Sequence, residues 1–216
     1  DADETQIFVD GMRVFTPYSP SANNIPTRGR LSPFLFKGIT FSTGGYSAEY
    51  GQALSSVLLL NSISEPQEEK TEISIMTVGL GLGNTQKWKK SSLSLNTSYI
   101  NLAPYGLKNR NLYINSSYQD FLEKDWSIAT GISFANDRSE MKFRDSDITD
   151  IENSAHLKIA FKKYFSSRYK LNFGAEYFIT NFTEDYQDAN LENDYEFDNN
   201  IFSSFAETDI FFSKKL

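Results

Sequence analysis

The chain has 216 residues, a formal net charge of −7 and no cysteine. The absence of cysteine excludes a disulfide framework and thiol chemistry, and the acidic balance argues against a nucleic-acid partner, because such surfaces are basic. No apolar run approaches the roughly 18 residues of a membrane-spanning helix. A mean hydropathy of −0.44 still allows a transmembrane β-barrel, whose strands alternate between lipid-facing and lumen-facing residues.

The chain divides into two units that differ in composition and in the length of their strand signals. Residues 1–63 are rich in Gly and Pro with short strand signals, including one over Gln6 to Val14 that contains an Asp10-Gly11 turn. Residues 64–70 are polar and predict a linker, and residues 71–216 hold long alternating segments. The first residues, Asp1 to Glu4, have none of the basic and apolar character of a secretion signal, so we expect a processed or trimmed chain.

Alternation is the main signal of the second unit. From Trp126 to Ala135, one face carries Trp, Ile, Thr, Ile and Phe, and the other carries only Ser, Ala and Gly. Segments near 93–99, 157–161 and 169–179 alternate in the same way, and the pattern is weaker over 202–212. If these strands cross a membrane, Ile128, Ile132 and Phe134 face lipid.

Connections of two lengths alternate along the second unit. Short ones are expected at 89–90, 123–124 and 166–167, and long polar ones at 101–109, 136–153 and 181–200. Outer-membrane barrels combine short periplasmic turns with long external loops. If the long connections are external, the strand that ends near Ile100 runs outward, and a chain that starts on the periplasmic side must make an even number of strands before it. Residues 71–88 are therefore predicted to hold two strands, and the unit to hold about eight in all. The predicted fold is all-β, with an antiparallel meander forming part of a transmembrane barrel.

The most specific residues lie in the first unit. They are Val9-Asp10-Gly11, Arg28-Gly29-Arg30 and the run GGYSAEYGQALSSVL from Gly44 to Leu58. These segments resemble the C-terminal half of the plug domain of TonB-dependent outer-membrane receptors, above all the branch with a carboxypeptidase-regulatory-like N-terminal domain that is common in Bacteroidetes. The resemblance covers residues 6–61 and continues more weakly through 76–105.

This resemblance implies the end of a plug domain followed by the first strands of a barrel. The implied function is TonB-dependent import of a siderophore, cobalamin, glycan or peptide across the outer membrane, with the plug as gate. The implied partners are the TonB complex, the ligand, outer-membrane lipid and a surface lipoprotein. No enzymatic activity or cofactor is expected. Because transporters of this kind have about 22 strands, we expect the chain to be a fragment without its TonB box.

The resemblance also assigns gating and packing roles to residues of the plug motif. They are Arg28, Gly29, Arg30, Gly44, Gly45, Tyr46, Ser47, Glu49, Tyr50 and Gly51. In the family, plug arginines face barrel-wall glutamates, and Arg28 and Glu49 are the charged candidates for plug–wall contacts here. The alternative is that both lie in solvated loops.

An acidic stretch near 185–198 is a second candidate site. Its residues Asp185, Tyr186, Asp188, Asp194 and Tyr195 are predicted to lie in an external loop, by default as a solvated loop tip, with contact to a cationic ligand or calcium as the alternative. The single histidine, His156, leaves no basis for a catalytic triad or a histidine-based metal site, and its place on a polar strand face predicts a solvated or lumen-facing position. No metal site is predicted.

A second function class remains open at this stage. Eight strands can close into a small barrel, so the chain could be a stand-alone barrel or sandwich that binds a ligand at a cell surface. Residues 1–63 have no role in such a barrel, which counts against this alternative.

Overall fold

The structure is a computed structural model that describes residues 5–14, 18–19, 28–29, 38–51, 53, 55–61, 69–106, 108–143, 146–188 and 191–212. Strands dominate it, and the only helical element in the described ranges is a 3-10 turn at Ala103–Tyr105. The described residues contain no helix of the length and hydropathy needed to cross a membrane. The all-β prediction is confirmed.

The described residues from 5 to 61 form the N-terminal unit. Its main sheet has the order β2-β1-β6-β5, with β1 at Thr5–Val9, β2 at Met12–Val14, β5 at Gly38–Ser42 and β6 at Ser56–Asn61. A separate pair joins β3 at Tyr18–Ser19 to β4 at Arg28–Gly29. The parallel pairing of β1 with β6 places Ile7, Val9 and Leu60 in one apolar cluster.

The remaining strands form the long sheet. They are β7 at Lys70–Met76, β8 at Gly79–Lys87, β9 at Ser91–Asn101, β10 at Lys108–Phe121, β11 at Trp126–Phe143, β12 at Ser146–Ser166, β13 at Tyr169–Asp188 and β14 at Leu191–Ile210. Each pairs antiparallel with the next, in the order β14 to β7, as the predicted meander requires. Within the described ranges β7 and β14 do not pair with each other, so this sheet is open rather than closed into a small barrel.

The prediction of long polar loops at 136–153 and 181–200 was wrong. Residues Asn136 and Asn153 are cross-strand partners, and pairing continues to Phe143 and Ser146 before the chain turns. The second hairpin likewise pairs as far as Asp188 and Leu191. These strand ends carry mostly polar side chains on both faces, with scattered apolar residues such as Met141 and Ile151, and this removes the strict alternation that marks a strand.

The two faces of the long sheet have opposite character. The face turned away from the N-terminal unit, called the outer face, exposes large apolar side chains such as Ile132, which is 54% exposed. Its other members include Ile73, Ile75, Leu80, Leu93, Leu95, Tyr99, Ile114, Phe134, Leu157, Ile159, Tyr177, Ile179 and Phe202. The inner face buries polar groups, among them Asn96, Ser98, Asn111, Asn115, Ser133, Ser154, His156, Lys158, Asn172 and Glu176. This arrangement is the reverse of a soluble protein, where apolar side chains are buried.

Aromatic side chains gather at the end of the sheet that carries the connections at 88–90, 122–125 and 167–168, called the short-turn end because the sequence predicts short connections there. Exposed members are Trp88, Phe121, Tyr164, Phe165, Tyr169, Phe211 and Phe212. Each belongs to a turn, or to a strand end beside one, on the same edge of the meander. Aromatic girdles at this position mark the membrane–water interface of outer-membrane barrels.

Candidate functional site at the contact between the N-terminal unit and the long sheet

The N-terminal unit touches the inner face through the tight turn between β1 and β2. Asp10 and Gly11 both have positive φ, at 50° and 81°, which is the conformation that Asp-Gly hairpin turns adopt. The Asp10 carboxylate accepts hydrogen bonds from Asn96 Nδ2 at 2.9 Å and Ser94 Oγ at 3.4 Å. Asn115 Nδ2 donates to the carbonyl oxygen of Val9 at 3.0 Å. Neutral groups of β9 and β10 therefore bind one side of the turn.

Met12, the first residue of β2, fills a gap in the long sheet, which forms the wall around the N-terminal unit. A Cβ atom added to Gly131 of β11 would lie 2.2 Å from Met12 Sδ, well inside contact distance. Met12 is 1% exposed, so its side chain occupies the space that a larger residue at 131 would take. This is a steric lock between the two units.

Arg13 continues the contact onto β12 and β13. Its backbone N–H donates to His156 Nδ1 at 3.1 Å, and His156 Nε2 lies 3.2 Å from Glu176 Oε2. The imidazole is fully buried and stacks on Phe178 with ring centroids 4.1 Å apart. Ser203 Oγ donates to the other oxygen of Glu176 at 2.9 Å. Since Nδ1 accepts a hydrogen bond, the proton of the neutral ring belongs on Nε2, where it can be donated to Glu176.

A buried ion pair forms the second contact. Lys158 Nζ on β12 lies 3.1 Å from Glu49 Oε1 and donates to the Gly11 carbonyl oxygen at 3.1 Å. Lys162 Nζ lies 3.7 Å from Glu49 Oε2, and Asn172 Nδ2 donates to that oxygen at 3.3 Å. Burial raises the pKa of the Glu49 carboxyl, but the two lysines and the hydrogen bonds outweigh burial, so its pKa lies below the ordinary value.

Residues on either side of Glu49 add further contacts. Ser47 Oγ donates to a carboxylate oxygen of Glu207 on β14, and the backbone N–H of Ala48 donates to the same oxygen at 3.3 Å. The Tyr50 ring packs edge-on against Phe8 at 4.9 Å and lies under Lys158 Nζ at 5.3 Å. The loop that carries Glu49 is thus held by β12, β13 and β14.

A polar cavity of about 220 Å³ separates the N-terminal unit from the short-turn half of β8 to β12. Its lining includes Asp10, Glu49, Ser94, Ser117, Lys158 and Lys162. The wall at β9 and β10 offers hydroxyl groups here, whereas the lysines come from β12. Attachment of the N-terminal unit is therefore ionic at one side and neutral at the other.

The structure brings together only part of the predicted plug motif. Ser47, Glu49 and Tyr50 contact the long sheet as described, and a Cβ atom on Gly51 would lie 3.7 Å from Glu176 Oε1. Tyr46 instead donates within its own loop, to the Ala53 carbonyl at 2.6 Å, and Gly44 and Gly45 are exposed. Arg30 and the side chain of Arg28 lie outside the described residues, and Gly29 is described only as backbone of β4.

The acidic candidates lie on strands rather than in an external loop, so that part of the prediction was wrong. Asp185 pairs directly with Asp194 across β13 and β14, while Tyr186 and Tyr195 lie on the opposite face from these two aspartates. Asp188 ends β13, opposite Leu191. No group of three metal-ligating side chains occurs among the residues that the structure describes.

Several residues of the contact were not predicted as site residues. Among them are Met12, Arg13, Lys158 and Glu176. Lys158 and Glu176 lie on inner-face positions of alternating strands, which is a signal for lumen-facing side chains. Nothing in the sequence matches either of them to a partner in the first unit. Those pairings depend on how the two units dock, which local patterns do not encode.

Comparison with known proteins supports the fold and little beyond it. No family model matches the chain, and no curated protein matches it. Its fold matches the crystal structure of the ferric citrate transporter FecA in its unliganded form, with a TM-score of 0.55 and 12% sequence identity. The match covers 97% of this chain but 46% of FecA, so the chain spans less than half the length of that transporter. The chain therefore has the fold of the corresponding part of FecA.

Proposed function

We propose that this chain forms the end of a plug and the first eight strands of an outer-membrane transporter barrel, and that the plug gates ligand import. The observation that carries this proposal is the opposite character of the two faces of the long sheet. The outer face exposes Ile132, Phe134 and their apolar neighbours, and the inner face buries polar groups against the N-terminal unit. Lipid is the solvent that suits the first face.

Three further observations support membrane placement in a larger barrel. Exposed aromatic side chains occupy the short-turn end of the sheet. Strands β7 and β14 each have one unpaired edge within the described residues, and open edges need partners. The fold also matches part of a ferric citrate transporter. These observations favour a partial wall over the stand-alone module.

The gating role rests on the chemistry of the docking contact. Ion pairs and hydrogen bonds hold the N-terminal unit, with Glu49–Lys158 and Arg13–His156 at the centre. Among the described residues, its apolar cluster includes Tyr113 and Ala135 from the long sheet and no other residue of that sheet. A polar contact of this kind can be broken without exposing a large apolar surface. Energy for breaking it would come from the TonB complex, as the sequence resemblance implies. Siderophores, cobalamin, glycans and peptides are the ligand classes proposed on the same ground, and the Bacteroidetes branch rests on the sequence motifs alone.

Ion conductance tests the proposal without knowledge of the ligand. The complete protein that carries this chain is reconstituted in planar lipid bilayers in KCl, and single-channel conductance is recorded. We expect the wild type to insert and stay closed, and Lys158→Met to open frequent conducting events because the plug is loosened. Lys163→Met is the matched control, since Lys163 lies on the same strand but on the outer face.

Two results would refute separate parts of the proposal. Failure of the wild-type protein to insert, together with a monodisperse form in plain buffer, would refute membrane placement. Insertion with identical conductance for wild type, Lys158→Met and Lys163→Met would leave membrane placement intact and refute the gate.

A further inference from the structure

A cluster of cations lies on the outer face of β10 and β11. It comprises Lys108, Arg110 and Arg138, whose side chains are 75%, 53% and 43% exposed. Arg110 and Arg138 are directly opposite each other in the strand pairing, and Lys108 is opposite Glu140. We call these three cations the basic cluster. It is unusual in a chain whose net charge is −7.

One carboxylate serves all three cations. Glu140 lies 3.0 Å from Arg138, 3.3 Å from Lys108 and 3.9 Å from Arg110. Three positive charges against one negative charge leave an excess of two. Because like charges placed directly opposite each other destabilise a strand pair, an additional anion between the two arginines would relieve their repulsion.

The position of the cluster indicates where that anion comes from. Leu112 and Phe134 are the last apolar residues of the outer face on their strands, and Arg110 and Arg138 follow on the same face. Arg138 is four residues beyond Phe134, which is about 13 Å along a strand and about 10 Å along the membrane normal at the usual tilt. Guanidinium groups at that height lie in the headgroup layer of the bilayer.

The outer face of β13 and β14, which lie beyond β12 in the sheet, makes this location selective. At the corresponding height on β13 and β14 the outer face carries Asp185, Asp194, Glu196 and Asp198, with Asp185 opposite Asp194. Anionic headgroups are repelled there and attracted at β10 and β11. Arginine also presents a planar donor fork that fits phosphate oxygens bidentately.

We propose that the basic cluster binds the phosphate of an anionic lipid headgroup at the membrane surface opposite the short-turn end, with Arg110 and Arg138 as the principal donors. This inference rests on the proposed membrane placement but is independent of the gate. Lys108 adds charge at the rim, and Glu140 bridges the three side chains and reduces the repulsion among them.

Lipid binding to the purified protein in neutral detergent micelles tests the proposal. Phosphatidic acid and diacylglycerol with the same acyl chains are added in turn, and bound lipids are counted by native mass spectrometry. We expect phosphatidic acid to bind and diacylglycerol to bind at least about tenfold more weakly, because the latter lacks the charged acceptor. Arg110→Gln with Arg138→Gln should abolish that difference, while Lys89→Gln, an exposed cation in a turn at the opposite end of the sheet, should preserve it.

The outcomes separate the possible sources of phosphate. Equal binding of the two lipids, or unchanged binding by the double variant with an unchanged melting temperature, would overturn the proposal. Displacement of phosphatidic acid by inorganic phosphate at equal concentration would also overturn it, since the cluster would then recognise free phosphate. A protein that binds no lipid or detergent at all would refute membrane placement, which is a different failure.

Discussion

Removal of the Lys158 ammonium group should loosen the N-terminal unit more than any other single charge change in the contact. Lys158 is 8% exposed and bridges Glu49 to the Gly11 carbonyl. In Lys158→Met the buried Glu49 carboxylate keeps the Asn172 hydrogen bond and, as its cation, Lys162, which is 39% exposed and 3.7 Å away. Leaving one charge of a buried pair uncompensated costs about 3–5 kcal/mol. Docking of the N-terminal unit should become less favourable by that amount.

Amide hydrogen exchange in detergent measures this loss. The Arg13 N–H is a suitable reporter because its acceptor, His156 Nδ1, belongs to the wall, so it exchanges when the N-terminal unit undocks. The Glu49→Gln and Lys158→Met double variant should be closer to wild type than Lys158→Met alone, because neither charge is then buried without its partner. Equal losses of exchange protection in Lys158→Met and Lys163→Met would refute the reasoning. So would strictly additive effects of Glu49→Gln and Lys158→Met in a double-mutant cycle.

Three further predictions follow from the same geometry. Gly131→Leu should weaken docking by about 1–3 kcal/mol through collision with Met12, and Met12→Ala added to it should restore part of the loss in the same exchange assay; no rescue would contradict the steric lock. Ile132→Arg should cost about 2–4 kcal/mol at mid-bilayer, whereas Ser117→Arg, at similar depth beside the polar cavity, should cost much less in a folding titration; equal costs would contradict the face assignment. Docking lowers the pKa of Glu49 from its ordinary 4.5, so the contribution of Glu49 to docking is fully present above about pH 5 and is lost as pH falls through the lowered value. Exchange of the Arg13 N–H should therefore accelerate below that pH in wild type, and less in Glu49→Gln. An identical pH dependence of the two proteins would contradict the ion pair.

The sequence predicts the class of the fold but not the extent of its strands. Alternation over Trp126 to Ala135 identified β11 and its two faces, because each face keeps one kind of surroundings over that length. Beyond Asn136 most side chains on both faces are polar, and the strand continues to Phe143 without a clear alternation in the sequence. Its ladder there is held by backbone hydrogen bonds and by cross-strand pairs such as Asn136–Asn153, whose side chains are 2.7 Å apart.

The candidate site shows the same limit at the level of contacts. Glu49 was predicted as a charged contact residue, and the structure pairs it with Lys158 and Lys162 of the wall. The carboxylate is therefore on the N-terminal unit and the cations are on the long sheet, which is the reverse of the polarity that the family resemblance implies for arginine–glutamate contacts. Only the docked arrangement decides which inner-face residue meets which loop.

Nitroxide scanning of β11 from 128 to 135 in lipid vesicles tests the central claim most directly. Single cysteines are introduced into the complete protein, spin-labelled, and probed with oxygen, which concentrates in lipid, and with a polar nickel chelate. We predict a period of two, with high oxygen access at Ile132 and Phe134 and low access to both reagents at Ser133 and Ala135, which the N-terminal unit covers. Low oxygen access at Ile132 and Phe134, or high nickel access there, would contradict the account, since that face would then meet protein or water instead of lipid.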